Sequence, residues 1–275
     1  MIEIAICGAC GRMGQRITKT VSNQEDMKIA AAIDKPGTPR AGEDIGKIAS
    51  VEKLGVEVRG ADEIEDVLTE ANPDVLVDFT IAKAAVENVK AAANAGLPVV
   101  VGTTGFSDEQ MKEMEKSIQE AEIPAIIASN MSLGVNVFFK MVEEVAEKLG
   151  EYDMELIETH HNQKIDAPSG TALTAAKIAA EASGKDLEKV AKFGREKGEL
   201  GKRPKDEIGI HSVRAGDITG EHSFMFAGPS ERVEVSHVAQ SRQAFVTGVM
   251  KAIRYIREEG KPGKILDMQD VLFGK

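Results

Sequence analysis

The feature that most constrains this chain is its opening: Ile4-Ala5-Ile6-Cys7 is an unbroken apolar β-branched run that enters Gly8-Ala9-Cys10-Gly11 and passes directly into the helical pattern Arg12-Met13-Gly14. A strand buried on both faces followed at once by a glycine turn and a helix is the first half of a βαβ unit. The alternation continues. Short runs at Ile2–Cys7, Lys28–Ile33, Val75–Phe79, Pro98–Val101 and Ile123–Ala128 read as strands, separated by helical stretches at Arg12–Asn23, Asp62–Glu70, Lys83–Ala95 and Ser107–Glu120. The last opens with a Ser-x-x-Gln capping box, Ser107 to Gln110. Near-continuous apolar strands joined by helices require a parallel sheet covered on both faces, so this half is a doubly wound α/β domain.

After about residue 130 the pattern changes. Leu133–Leu149 reads as a long amphipathic helix, Asp153–Thr159 as a strand entering a Gly/Pro/Ser turn, and Thr171–Ala182 as a helix. Three strands follow, 208–214, 219–226 and 231–238, with turns at Ala215-Gly216-Asp217 and Gly228-Pro229-Ser230. Successive strands joined by short turns predict antiparallel pairing and an α+β second domain. A final helix spans about Arg242–Glu259, and periodicity alone does not say which domain it joins. Gly194–Lys205, rich in glycine and charge, is the expected mobile loop, because it has little apolar content to anchor it.

The Gly8-x-x-Gly11-x-x-Gly14 turn predicts a pyrophosphate site, since glycine admits close backbone approach and the helix start offers N–H groups and its positive dipole end. Gly8, Ala9, Cys10, Gly11, Arg12 and Met13 are the candidate contacts, with Cys10 standing where the commoner fingerprint has its middle glycine. Asp34 ends the second strand, where a carboxylate accepts from an adenosine ribose diol, and Lys35 beside it attracts a 2′-phosphate that Asp34 repels. The pair predicts use of both NADH and NADPH. Gly102, Thr103 and Thr104, then Ala128, Ser129, Asn130 and Met131, follow the next strand ends, where open parallel sheets bind ligands.

Charge narrows the partners. Lys and Arg number 34 against 45 Asp and Glu, a formal net charge of −11, which excludes a general phosphate-backbone binder and leaves nucleic acid outside the expected partners. No apolar run approaches the ~18 residues of a membrane span, and Glu3 sits where a signal peptide would be basic, so no membrane association and a cytoplasmic protein are expected. Cys7 and Cys10 are the two cysteines. They spell C-x-x-C, but with no second pair and a loop this short they read as a small core residue and a small turn residue, with no metal site.

The densest chemistry lies in Glu158-Thr159-His160-His161-Asn162-Gln163-Lys164-Ile165-Asp166-Ala167-Pro168-Ser169-Gly170-Thr171-Ala172. It holds two of the five histidines, a lysine that can donate a proton or neutralise a carboxylate, and a helix start that forms a second anion site. Adjacent His160 and His161 point to opposite faces of a strand, which argues against shared metal ligation.

At this point the chain resembles the dihydrodipicolinate (4-hydroxy-tetrahydrodipicolinate) reductases of lysine and diaminopimelate biosynthesis over essentially its whole length. The resemblance rests on Gly8-x-x-Gly11-Arg12-Met13-Gly14, Asp78-Phe79-Thr80, Gly102-Thr103-Thr104-Gly105-Phe106, Asn130-x-Ser132-x-Gly134-Val135-Asn136, the Glu158–Ala172 run and Arg214-Ala215-Gly216-Asp217, all in order. Cys10 and the Asp34–Lys35 pair depart from the common pattern and bear on cofactor preference. The resemblance implies reduction of a small cyclic dicarboxylate by NADH or NADPH with loss of water. By match to the motif, His160 is the acid/base group and Lys164 the proton donor, while His161, Ser169, Gly170 and Thr171 hold the carboxylates. It further implies a Rossmann-like domain of residues 1–130 and 243–275, and a substrate-binding and tetramerisation domain of residues 131–242 whose sheet is largely antiparallel or mixed. A homotetramer follows from the same resemblance. Two other readings use the same cofactor half: a small dehydrogenase acting on aspartate or a semialdehyde, and a non-catalytic dinucleotide-sensing regulator. A semialdehyde dehydrogenase needs a nucleophilic cysteine in its second half, which this chain lacks, and a regulator would leave His160 and Lys164 idle.

Overall fold

The computed structural model describes residues 1–274, which divide into two compact units, residues 1–132 with 245–274 and residues 133–244. The first unit begins with β1 (Ile2–Cys7), α1 (Arg12–Val21), β2 (Met27–Asp34), the single turn α2 (Ile45–Ile48) and a short β3 (Val58–Gly60). It continues through α3 (Ile64–Ala71), β4 (Val75–Asp78), α4 (Ala82–Asn94), β5 (Val99–Val101), α5 (Asp108–Glu120) and β6 (Ala125–Ile127). Local chemistry sets the boundaries. Ser107 and Gln110 close the capping box of α5, and Asp44 accepts four backbone N–H groups from Gly46, Lys47, Leu54 and Gly55, which ties α2 to the loop after it.

The second unit carries α6 (Leu133–Lys148), β7 (Asp153–His160), α7 (Gly170–Ala182), α8 (Leu187–Val190), β8 (Ala191–Phe193), β9 (Ile208–Arg214), β10 (Glu221–Ala227) and β11 (Arg232–Val238). Its five strands lie in the order β11-β10-β7-β9-β8. The turn-based expectation of sequential antiparallel pairing fails at one place. β9 does not form a hairpin with β10; both pair with β7, β10 antiparallel and β9 parallel, so the sheet is mixed. Alternation along β7 buries Met154, Leu156, Glu158 and His160 on one face, where Phe224 and Phe226 of β10 and the alanines of α7 complete an apolar core.

The chain then runs through α9 (Gln243–Glu259), β12 (Ile265–Leu266) and α10 (Met268–Phe273). β12 pairs parallel with β6, completing a seven-stranded all-parallel sheet in the order β12-β6-β5-β4-β1-β2-β3. That is a Rossmann-like doubly wound sheet, its order reversing between β1 and β4. Ile4, Ala5, Ile6 and Cys7 are fully buried, as a strand covered on both faces demands. Gly194–Lys205, expected to lack anchors, is pinned by ion pairs. Arg195 meets Glu155 and Glu207, each at 2.7 Å, and Arg203 meets Asp153 and Glu155, each at 2.9 Å.

Candidate active site

In the first unit, four loops leave neighbouring strands at one edge. Register aligns Cys7 with Ile33 and Asp78, Asp78 with Val101, and Val101 with Ile127, so the loops starting at Gly8, Phe79, Gly102 and Ala128 emerge side by side. Gly8 has φ +78°, and a Cβ there would lie 2.6 Å from the Phe79 carbonyl oxygen. At Gly14 a Cβ would lie 2.2 Å from the Gly8 oxygen, so only glycine lets α1 sit this close to the turn. Gly8, Cys10, Gly11, Asp34 and Lys35 line one cavity of about 550 Å³, together with Thr38, Arg40 and Phe79. Ala9 is fully buried beneath the turn, Arg12 is exposed at the start of α1, and Met13 is half-buried. The Asp34 carboxylate accepts the Cys10 N–H at 2.8 Å and the Lys35 N–H at 2.9 Å.

One buried carboxylate organises the same edge. Asp78 accepts from Thr103 Oγ1 at 2.6 Å, Thr80 Oγ1 at 2.8 Å, Thr80 N at 3.0 Å and Asn88 Nδ2 at 2.7 Å. It thereby fixes the Gly102-Thr103-Thr104 loop to the end of β4, while Thr104 is left exposed. Ala128 and Met131 are buried, Ser129 is exposed, and Asn130 accepts the Ser132 N–H at 2.9 Å. Burial first, then the Asp78 and Asp34 charges, push the Cys7 thiol well above its usual range. Cys10 is pushed up to about 11 by burial and Asp34. Neither thiol is primed as a nucleophile.

In the second unit the Glu158–Thr171 run assembles around one group. Glu158, fully buried on β7, accepts from His160 Nδ1 at 2.6 Å and from Ser169 N at 3.1 Å, and forms a two-pronged pair with Arg214 at 2.8 and 2.9 Å. Burial opposes its ionisation, but Arg214, Ser212 and His160 more than offset that and bring the carboxyl down to about 2. His160 is held below the ordinary imidazole range, first by burial, against the upward pull of Glu158. Its ring meets His222 of β10 edge-on at 5.2 Å, and His222, lowered to about 3 chiefly by burial, is neutral.

Lys164 stands in the loop after β7, its Nζ 2.8 Å from both oxygens of Asp166, whose own carbonyl accepts from Arg214 at 2.7 Å. Ser169 is the N-cap of α7: its Oγ accepts the Ala172 N–H at 3.1 Å and lies 3.1 Å from His222 Nε2. Gly170 and Thr171 form the first turn, at the positive end of a 13-residue helix. His161 has its Nδ1 buried without a partner among the described residues. Among the described residues no cluster of three metal-ligating side chains exists. A Cβ at Gly220 would stand 3.0 Å from His160 Nε2, so glycine there keeps that side of the ring open.

Thr38 and Arg40 carry no periodic signal, and Arg214 and His222 reach the group from strands 50 or more residues away. Their roles are invisible until the strands are paired. Glu158 did leave a signal: two residues before His160 on a strand, it must share its face.

Models of the dihydrodipicolinate reductase family match the chain in two pieces, the N-terminus over residues 2–131 and the C-terminus over residues 134–272. A 4-hydroxy-tetrahydrodipicolinate reductase of Methanothermobacter thermautotrophicus is 52% identical over 272 residues, 99% of each chain. One from Methanocaldococcus jannaschii is 53% identical over 259 residues, 94% of this chain and 93% of that one. Among solved structures, a dipicolinate-bound dihydrodipicolinate reductase from Paenisporosarcina sp. superposes with a TM-score of 0.76 at 28% identity, covering 99% of this chain and all of that one. A probable dehydrogenase from Thermotoga maritima, at 14% identity and TM-score 0.65 over 98% of this chain and 92% of its own, shares the fold.

Proposed function

The chain belongs to the dihydrodipicolinate reductase family, and from that premise we infer that it reduces 4-hydroxy-tetrahydrodipicolinate to tetrahydrodipicolinate with loss of water, in lysine and diaminopimelate biosynthesis. The observation that carries the reading is the gathering of His160 and the start of α7 on the buried Glu158, with Lys164 tied to it through Asp166 and Arg214.

The residues of the glycine turn fit a dinucleotide: the cradle has no room for a Cβ at Gly8 or Gly14, and it opens on a cavity that Asp34 and Lys35 line. When bound, the reduced nicotinamide supplies a hydride. We propose that Gly8 to Met13 hold the pyrophosphate, Asp34 the adenosine ribose, and Gly102 to Thr104 with Ala128 to Met131 the nicotinamide end. Lys35 and the nearby Arg40 support acceptance of a 2′-phosphate, and Asp34 supports acceptance of the diol, so both NADH and NADPH serve.

The substrate is a small dicarboxylate. Gly170, Thr171 and His161 bind its carboxylates, helped by the dipole of α7, and Ser169 shapes that site as its N-cap. Lys164 delivers a proton to the centre that hydride addition leaves electron-rich, and His160 exchanges a proton through Nε2 at the same centre or at the departing hydroxyl. Asp166 places the Lys164 side chain, ready to exchange that partner for a substrate carboxylate or to give up its proton.

We propose a cytoplasmic homotetramer that joins through the open face of the five-stranded sheet. Ile157, Val213 and Val238 support this, since all three project from that face with 41%, 42% and 58% of their surface exposed. No helix among the described residues is long and apolar enough to cross a membrane. The test is oxidation of NADH and NADPH by the purified chain with freshly made hydroxy-tetrahydrodipicolinate, beside aspartate semialdehyde. Turnover with the first substrate under both cofactors is expected; turnover with the semialdehyde alone would overturn the reading.

A further inference from the structure

We propose that Glu158 is the positioning residue of this site: its carboxylate fixes the His160 ring with Nδ1 turned inward as donor and Nε2 turned outward, and holds the start of α7 in register with it. The proposal rests on the acid/base role given to His160 above.

A carboxylate has about four lone-pair positions, and Glu158 accepts from His160 Nδ1, Ser169 N and the two Arg214 nitrogens, with Ser212 also acting on it. The donors come from the end of β7, the cap of α7 and the end of β9; the parallel ladder sets His160 opposite Arg214, and Glu158 ties the cap of α7 to both strands. Being ionised, Glu158 can only accept, so the shared proton lies on His160 Nδ1 and the lone pair of the neutral ring lies on Nε2. Nε2 faces Gly220, where the missing side chain leaves room.

A purely structural ion pair would not need this geometry. Buried pairs are commonly replaceable by apolar side chains of similar volume without loss of stability, but an apolar pair cannot select a tautomer. Arg214 has a matching part. It shares the Glu158 charge, so that the imidazole is not locked in its protonated form, and its Nη2 also holds the Asp166 carbonyl in the loop that carries Lys164. The groups facing His160 are therefore Glu158 on its own strand, Arg214 on β9, His222 on β10 and Lys164 in the loop. Glu158 alone among them raises the affinity of His160 for a proton; burial, Lys164 and Arg214 lower it.

The experiment records imidazole ¹⁵N spectra of the histidine-labelled full chain across pH, with His160 identified by the signal that His160→Gln removes. In the unaltered protein the neutral ring should carry its proton on Nδ1. Glu158→Gln should move the His160 titration down by about one unit, since a negative neighbour is lost, and should lower kcat at least tenfold with KM for the reduced cofactor within twofold. Should that variant fold poorly because Arg214 is left unpaired, Glu158→Met combined with Arg214→Met removes both charges, and the His160 ring should then show a mixture of tautomers. Unchanged tautomer and titration in either folded variant overturn the proposal. Shifted spectra combined with undiminished turnover in His160→Ala would uphold the positioning by Glu158 and refute the acid/base role of His160.

Discussion

Replacing Gly14 by alanine isolates what the glycine turn requires. The added Cβ would stand 2.2 Å from the Gly8 oxygen and 2.6 Å from the Ala9 oxygen. Neither carbonyl can yield freely, because the N–H groups of Gly8 and Ala9 both bond the Ile33 oxygen, at 2.9 and 3.1 Å, and Gly11 N bonds the Gly8 oxygen at 3.0 Å. Ordinary contact therefore requires α1 to retreat by about 1 Å. Overpacking costs about 1–3 kcal/mol, and a 2.2 Å contact with held backbone stands at the upper end; alanine returns up to ~1 kcal/mol in a helix, so a net loss near 2 kcal/mol is expected. For a unit of this size that lowers the melting temperature by about 4–8 °C. The same retreat pulls the first N–H groups of α1 off a bound pyrophosphate, and losing two charge-assisted hydrogen bonds weakens binding by roughly a hundredfold. Gly11→Ala is the internal control for stability: its Cβ would meet only the Gly8 oxygen, at 3.1 Å, and its φ of −72° is ordinary, so its melting point should stay within about 2 °C of the parent. Thermal melts, with titration of reduced dinucleotide followed by its fluorescence, read both effects. A Gly14→Ala variant that melts with the parent and binds dinucleotide within threefold of it would refute the argument from close approach.

Lys35→Ala should weaken NADPH more than NADH in the same titration; equal weakening would show that Lys35 does not read the 2′-phosphate. Cys7→Ala should keep turnover within tenfold, and Cys7 should resist thiol reagents in the native state, because its thiol is fully buried and its ionisation suppressed; a loss beyond a hundredfold in a folded variant would make the thiol chemical. Acid should destabilise the second unit in two stages. His222 has a folded value near 3 against about 6.5 unfolded, so its contribution is complete above pH 6.5 and is lost as pH falls toward 3. Glu158, near 2 folded and 4.5 free, is fully stabilising above pH 4.5 and loses that contribution as pH falls toward 2. His222→Gln should make the first decline shallower, and a melting temperature that is flat from pH 6.5 to 4.5 in the parent protein would contradict this.

The strands that announce themselves in the sequence are those buried on both faces. Ile4 to Cys7 and Val75 to Val77 have continuous apolar runs because no residue of theirs meets water. β3 and β12, three and two residues long at the two edges of the parallel sheet, have too little pattern to stand out. In the second sheet chain order and spatial order part: turns at Ala215–Asp217 suggest a hairpin, but β7, buried at every second position, takes both neighbouring strands for itself. Arg195 and Arg203 read as solvated charges until Glu155, 40 and 48 residues away, is brought beneath them. Around the candidate site, spacing places Glu158 and His160 on one face and Lys164 beside Asp166. The reach of Arg214 across 56 residues to Glu158 depends on the parallel pairing of β9 with β7, which no local pattern encodes.

The most direct test of the chemistry compares His160→Ala and Lys164→Ala with the parent chain in steady-state oxidation of reduced cofactor by hydroxy-tetrahydrodipicolinate, with cofactor affinity measured separately. Each substitution is expected to lower kcat by about 10²–10⁴-fold, the usual range for lost acid–base catalysis, while cofactor affinity is nearly unchanged. Full turnover in Lys164→Ala with only a raised KM for the dicarboxylate would contradict the account, and would make that lysine a carboxylate anchor with the proton drawn from His160 or water.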